Sequence, residues 1–230
     1  MRTKDNGKYN TAGSTGKKKR AAFNWLKGVT AVLCAVVMYF AVTIGIRGYD
    51  MYKDAIAQVS LKDKVSEIRS KESYTVFSDL PETYTDAVLS VEDRRFYGHI
   101  GIDPIAITRA MVNDVKAGRF VEGGSTITQQ LAKNLYFTQE KKMERMAFAL
   151  ERDYSKNEIL ELYVNTIYFG NGYYCIKDAS EGYFGKEPED LTDYESTLLA
   201  GVPNAPSKYS PTVNLELAEK RQEQVVERLV

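Results

Sequence analysis

The sequence predicts a mainly α-helical domain preceded by one transmembrane helix, and three observations carry that expectation. Val29 to Ile46 contains no charged residue, and with Trp25 and Leu26 ahead of it the apolar zone is long enough to cross a bilayer as a helix. Beyond it, apolar residues recur at helical spacing, and several such runs open with Ser or Thr followed three residues later by Glu or Gln, the pattern of a capping box. Strand and helix patterns do not alternate in the way a parallel sheet requires.

At 230 residues and 43% hydrophobic, the chain suits one domain of ordinary size with appendages. Its formal net charge is zero, and no nucleic-acid partner is expected of it. The charge is uneven, however. Residues 1–28 hold Arg2, Lys4, Lys8, Lys17, Lys18, Lys19, Arg20 and Lys27 against Asp5 alone, a basic tail too polar to fold. By the positive-inside rule that end stays in the cytoplasm and the remainder lies outside, extracellular or periplasmic, with Trp25 and Tyr49 as interfacial aromatics. A cleaved secretory signal or a buried core helix would also be apolar. The run is longer than a usual signal core and lacks a small-x-small cleavage site, and a core helix is rarely apolar all round. Cys34 in the span and Cys175 far downstream cannot pair, so neither a disulfide framework nor a Cys-based metal site is implied.

Residues 47–72 are charged and helix-prone, a juxtamembrane stalk, a first helix or a plain connector. Ser73 to Phe77 reads as a short strand. Pro81 suits the first turn of a helix whose Tyr84, Ala87, Val88 and Val91 share a face. That helix delivers Glu92 into a crowded stretch with Asp93, Arg94, Arg95 and His99, the single histidine. Apolar surroundings raise a carboxyl pKa and nearby cations lower it, so Glu92 can be tuned as a base; a solvated charge cluster at a helix end is the plainer alternative.

Asp103 and Pro104 open the next helix and Gly118 stops it, with Ile105, Met111, Val112 and Val115 expected inward. Gly123 and Gly124 then turn the chain into Ser125 and Thr126, where Gln129 completes a capping box. A helix opening of this kind offers free N–H groups to an anion. Thr126, Gln130 and Lys133 fall on one face, readable as a ligand wall or as a solvated polar stripe. Further helices are expected from Gln139 to Asp153, after the Ser155 to Glu158 box, from about Ile176 to Tyr183, after the Thr192 to Glu195 box, and from Leu215 to Val230. An aromatic, glycine-punctuated loop lies between Tyr168 and Tyr174.

Four ordered motifs give a resemblance. Glu92-Asp-Arg-Arg-Phe-Tyr-x-His-x-Gly-x-Asp103, Gly123-Gly-Ser-Thr-x-Thr-Gln-Gln-x-x-Lys-Asn134, Lys156-x-Glu-Ile-Leu-Glu-x-Tyr-x-Asn165 and Leu199-Ala-Gly-x-Pro-x-x-Pro206 resemble those of the family 51 peptidoglycan glycosyltransferases. These are the monofunctional transglycosylases and the glycosyltransferase domains of class A penicillin-binding proteins. The resemblance implies a lysozyme-like helical domain over residues 73–230, working in cell-wall biogenesis beside the membrane. The substrates it implies are lipid II and the growing glycan strand, joined with inversion as a polyprenyl diphosphate departs. It assigns Glu92 the role of general base. Asp93, Arg94, Phe96, His99, Ser125, Thr126, Gln129, Gln130, Lys133, Asn134, Lys142, Tyr163 and Asn165 then match positions that bind substrate or shape the site. Phe96 suits packing better than direct contact, and His99 suits hydrogen bonding better than metal ligation. Lys133 and the helix opening at Thr126 are the candidates for the diphosphate. Such families can use a divalent ion, Mg or Mn, but no cofactor is required by the residues and no metal cage is defined. Other cell-wall synthesis proteins are natural partners.

The chain departs from the resemblance in its third motif, Arg-Lys-x-x-Glu, which carries a second carboxylate. Here Lys141-Lys142-Met143-Glu144-Arg145 stands instead, one residue too tight. A missing residue rotates a helical side chain by roughly 100 degrees. Either Glu144 is a displaced catalytic substitute or the chain is a catalytically impaired scaffold that still binds lipid II. A lysozyme-like glycan hydrolase is the third reading, opposed by the Gly-Gly-Ser-Thr turn and Lys133. Cys175 takes the place of a usual glycine. No transpeptidase domain follows, so a monofunctional enzyme and a piece of a longer chain are both expected forms.

Overall fold

A computed structural model of the chain describes residues 35–39, 42–43, 60–119, 123–136 and 140–229, the side chains of 140–143 excepted. The chain divides into two units, residues 1–50 and residues 51–230. In the first, residues 35–39 and 42–43 are helical. The expected span Val29 to Ile46 lies mostly outside the described residues, as do the basic tail and most of the expected stalk. Among the described residues no helix is long and apolar enough to cross a membrane.

The second unit is helical, and among its described residues there is no strand. Its elements are α1 (Leu61–Arg69), α2 (Glu82–Glu92), α3 (Pro104–Ala117), α4 (Ile127–Tyr136), α5 (Glu140–Asp153), α6 (Lys156–Val164), α7 (Ile176–Phe184), α8 (Asp193–Gly201), the short α9 (Pro206–Tyr209) and α10 (Leu215–Leu229). The expected start signals are in use. Ser155 with Glu158, and Thr192 with Glu195, form complete capping boxes, each satisfying backbone donors that a bare helix end leaves unpaired. Asp103 Oδ1 accepts from Ile105 N at 2.9 Å, and Gly118 ends α3 with φ at +63°.

The core is one continuous cluster, in which α4 packs on α5 and α6 while α8 packs on α2 and α10. Ile127 and Leu131 on α4, Leu150 on α5, Ile159, Leu160 and Leu162 on α6, and Leu199 on α8 are all fully buried. Each such side chain contributes about 1.5–3 kcal/mol by leaving water. α10 packs on α2 and α8 through Ala218 and Val225, and this contact sets one wall of the site.

Two expectations give way, and one of the alternatives left open for residues 47–72 is taken up. Ser73 to Phe77 is not a strand: Thr75 N donates to Asn165 Oδ1 and Asn165 Nδ2 donates to Thr75 O, so a side-chain amide takes the place of a neighbouring strand. α1 is the first-helix alternative over residues 61–69, with Leu61, Val65 and Ile68 buried in the core and Arg69 paired with Glu158 at 3.0 Å. α3 presents its apolar residues outward: Ile105, Met111, Val112 and Val115 are exposed. Periodicity located the stripe correctly but could not say what covers it.

Candidate active site

The C-terminal turn of α2, the start of α3, the 123–126 turn, the first turn of α4 and the inner face of α10 enclose an open cavity of about 410 Å³. Its lining includes Glu92, Asp93, Arg94, Arg95, Asp103, Arg109, Ser125, Thr126, Gln130, Asn204, Arg221 and Arg228. Gly124 is needed where the turn crosses α3, since a Cβ there would sit 3.0 Å from Ile107 Cα. Ser125 is exposed at the rim.

Glu92 forms the floor, partly open to the cavity. Its depth in the protein raises the pKa by desolvation. The hydrogen bond from Gln130 and the charges of Arg221 and Arg228 pull it back, and the neighbouring Asp93 adds to the rise. Gln130 Nε2 donates to Glu92 Oε2 at 2.8 Å. Burial and the nearby Arg228 hold Arg221 below the usual guanidinium range, and a guanidinium stays charged even so.

Asp93 turns the other way and is buried. Its Oδ2 accepts from Ile127 N at 3.0 Å, and His99 Nε2 lies 3.1 and 3.0 Å from its two oxygens. His99 Nδ1 accepts from Gly101 N at 3.1 Å, which leaves the ring proton on Nε2, facing the carboxylate. Phe96 lies beneath, fully buried, edge-on to His99 and capped by the Lys156 ammonium 4.4 Å from the ring centre.

These bonds correct the expected anion seat at the opening of α4. Ile127 N is held by Asp93, Thr126 N by Gln129 Oε1 and Gln129 N by Thr126 Oγ1, while Thr126 Oγ1 donates to Gly101 O at 2.6 Å. The tip is already occupied by the protein's own carboxylate, and Thr126 is buried rather than displayed. Gln129 is likewise spent on the cap.

The remaining predicted residues scatter. Lys133 is exposed on α4 and does not line the cavity. Asn134 Nδ2 donates to Thr166 O at 3.4 Å. Tyr163 is fully buried behind the floor and donates to Gln130 Oε1, and buried Asn165 braces Thr75. Glu144 is exposed on α5, away from the cavity lining. Lys142 falls on the same helix, its side chain outside the described residues. Sequence reasoning missed Arg221 and Arg228. They sit seven apart on one face of an amphipathic helix, but only the packing of α10 on α2 brings that face to Glu92. Among the described residues no group of three His, Cys, Asp or Glu side chains could hold a metal ion.

Residues 61–230 match the family described as Transglycosylase. Penicillin-binding protein 1A of Aquifex aeolicus (strain VF5) is 45% identical over 166 residues, 70% of this chain and 23% of that protein. Penicillin-binding protein 1F of Bacillus subtilis (strain 168) is 44% identical over 171 residues, 71% of this chain and 24% of that protein. Penicillin-binding protein 2D of the same organism is 39% identical over 217 residues, 89% of this chain and 31% of that protein. The chain thus spans between 23% and 31% of the length of these relatives. A match over residues 61–230, in a chain whose motifs assemble around one carboxylate, places this protein in the transglycosylase family, the family 51 glycosyltransferases.

Proposed function

We propose that the protein is a peptidoglycan glycosyltransferase that polymerises lipid II into β-1,4-linked glycan, with a lysozyme-like arrangement of its helices. The observation that carries this reading is Glu92, a carboxylate with a raised pKa on the floor of a cavity lined by Arg94, Arg95, Arg109, Arg221 and Arg228. In the reaction the acceptor's 4-hydroxyl oxygen bonds to the donor's anomeric carbon with inversion, and its proton passes to Glu92. The bond from that carbon to the diphosphate breaks, and the electron pair leaves on the polyprenyl diphosphate. An inverting displacement needs a base on one face and stabilisation of the departing group on the other. A diphosphate leaves as an anion, so arginine side chains serve in place of a general acid. Lys133, exposed one turn beyond Gln130, is assigned to the part of the substrate that extends out of the cavity.

The run Val29 to Ile46 is assigned as a single membrane anchor with the N-terminus cytoplasmic and the catalytic domain outside, where lipid-linked substrate and other cell-wall proteins would meet it. A second reading, a lipid II-binding scaffold without turnover, is favoured by the exposed position of Glu144 away from the cavity lining. Purified protein incubated with labelled lipid II separates the two. Polymer with release of polyprenyl diphosphate supports the transferase; retention of lipid II without product supports the scaffold.

A further inference from the structure

Behind Glu92 a short relay runs into the core. Tyr163 Oη donates to Gln130 Oε1 at 3.1 Å, and Gln130 Nε2 donates to Glu92 Oε2 at 2.8 Å. Tyr163 stands on α6 with 0% of its surface exposed and does not line the cavity, so it cannot touch a substrate bound there. Gln130 is different. Its amide carries a donor at one end and an acceptor at the other, and nothing in the side chain itself decides which end meets Glu92. The ionised carboxylate, an acceptor only, calls for the N–H end, and the buried phenol holds that choice when Glu92 takes up a proton. In the observed orientation its O–H has an acceptor; with the amide reversed, the phenol oxygen would accept from the NH2 group, but its own O–H would be left without an acceptor in a place water does not reach.

We propose that Tyr163 is a positioning residue for Glu92, its buried hydroxyl fixing the Gln130 amide so that an N–H, rather than a carbonyl oxygen, meets the carboxylate. The inference rests on Glu92 being the base. The groups facing Glu92 are Tyr84 from its own helix, the adjacent Asp93, Gln130 from α4, Tyr163 from α6, and Arg221 and Arg228 from α10. The two arginines favour the charged carboxylate and Asp93 opposes it. Of these neighbours only the amide changes sign with orientation. Turned as observed, it supports the ionised form that must accept a proton; reversed, it would set a carbonyl oxygen against a carboxylate oxygen and favour the protonated form. Tyr84 provides an internal comparison, since its hydroxyl is equally buried but has no hydrogen-bond partner among the described residues.

The test titrates the Glu92 side chain in the full-length protein, using carbon-13-labelled glutamate, with the resonance assigned by its loss in Glu92→Gln. Tyr163→Phe keeps the ring and removes only the hydroxyl, and is expected to move the Glu92 titration upward by about one pH unit. Gln130→Ala should move it at least as far. The double variant should go no further than Gln130→Ala alone, and Tyr84→Phe should leave it in place. In lipid II polymerisation, the acid limb of kcat/KM should follow the titration in Tyr163→Phe while KM holds. A Tyr163→Phe titration identical to the unaltered protein, or a shift that adds fully to that of Gln130→Ala, overturns the proposal. Absence of polymerisation in the unaltered protein, with the titration shifts present, overturns the transferase reading and leaves the positioning role standing.

Discussion

Glu92 and Asp93 are neighbours in sequence and opposites in role, and the difference is one of direction. Glu92 leaves the last turn of α2 towards the cavity; Asp93, with the non-helical backbone of a helix end, turns into the protein to hold His99 and Ile127. Glu92→Gln is expected to cut polymerisation by roughly 10²- to 10⁴-fold, the usual worth of a general base, while keeping volume and the bond from Gln130. Its effect on stability has the opposite sign. An acid whose folded pKa is raised binds more protons folded than unfolded, so stability falls as pH climbs from the ordinary value of 4.5 through the raised one. The ionised carboxylate is therefore a cost at neutral pH, and Glu92→Gln should melt at the same or a higher temperature than the unaltered protein at pH 7. That advantage should vanish in acid below the ordinary value. Asp93→Asn should behave differently, losing about 2–4 kcal/mol in denaturant unfolding at pH 7, because its carbonyl can replace Oδ2 towards Ile127 N but leaves an NH2 group against the Nε2–H of His99 and removes the carboxylate charge. Sequence spacing brought Glu92, Asp93 and His99 together but could not separate the carboxylate that faces the cavity from the buried pair beside it. That distinction depends on which way each side chain leaves the backbone.

At the scale of the element, α10 is the part of the site least visible in the sequence. Its amphipathic pattern was legible; that Arg221 and Arg228 meet a carboxylate more than a hundred positions earlier was not, because nothing local encodes the packing of α10 on α2. Gly201 at the end of α8 makes that approach close, since a Cβ there would lie 2.9 Å from Arg221 Cγ. Gly201→Ala is expected to cost about 1–3 kcal/mol in thermal unfolding through overpacking and to displace Arg221 from the cavity. Arg221→Ala should lower kcat/KM by roughly 10²-fold and move its acid limb upward, because one of the cations that lowers the Glu92 pKa is gone. The helix starts, by contrast, were written locally: Ser155 and Thr192 cap as their capping-box spacing requires. The apolar stripe of α3 was also read correctly as a stripe, and misread only in what it faces.

For the whole molecule, the second unit carries a continuous core and a complete cavity within residues 60–229, so a variant lacking residues 1–50 is expected to fold. It should melt within a few degrees of the full chain in detergent and no longer sediment with membranes if Val29 to Ile46 is the anchor; sedimentation unchanged would place membrane attachment elsewhere. The mainly helical class was legible because helix caps and glycine turns are short-range features, whereas the motif order was legible only through the resemblance to a family. The third motif stayed opaque, because one residue gained or lost on a helix re-aims every side chain beyond it, and Glu144 emerges on the surface. The proposed function rests on a single proton acceptor, Glu92, opposed by arginines. The decisive measurement is the rate of polymerisation of labelled lipid II by the full chain from pH 4 to 9, beside Glu92→Gln. A rate that rises through one acid limb in the unaltered protein, above the ordinary carboxylate range, and is absent at every pH in Glu92→Gln is the predicted result. Polymer made at an undiminished rate by Glu92→Gln would contradict the account.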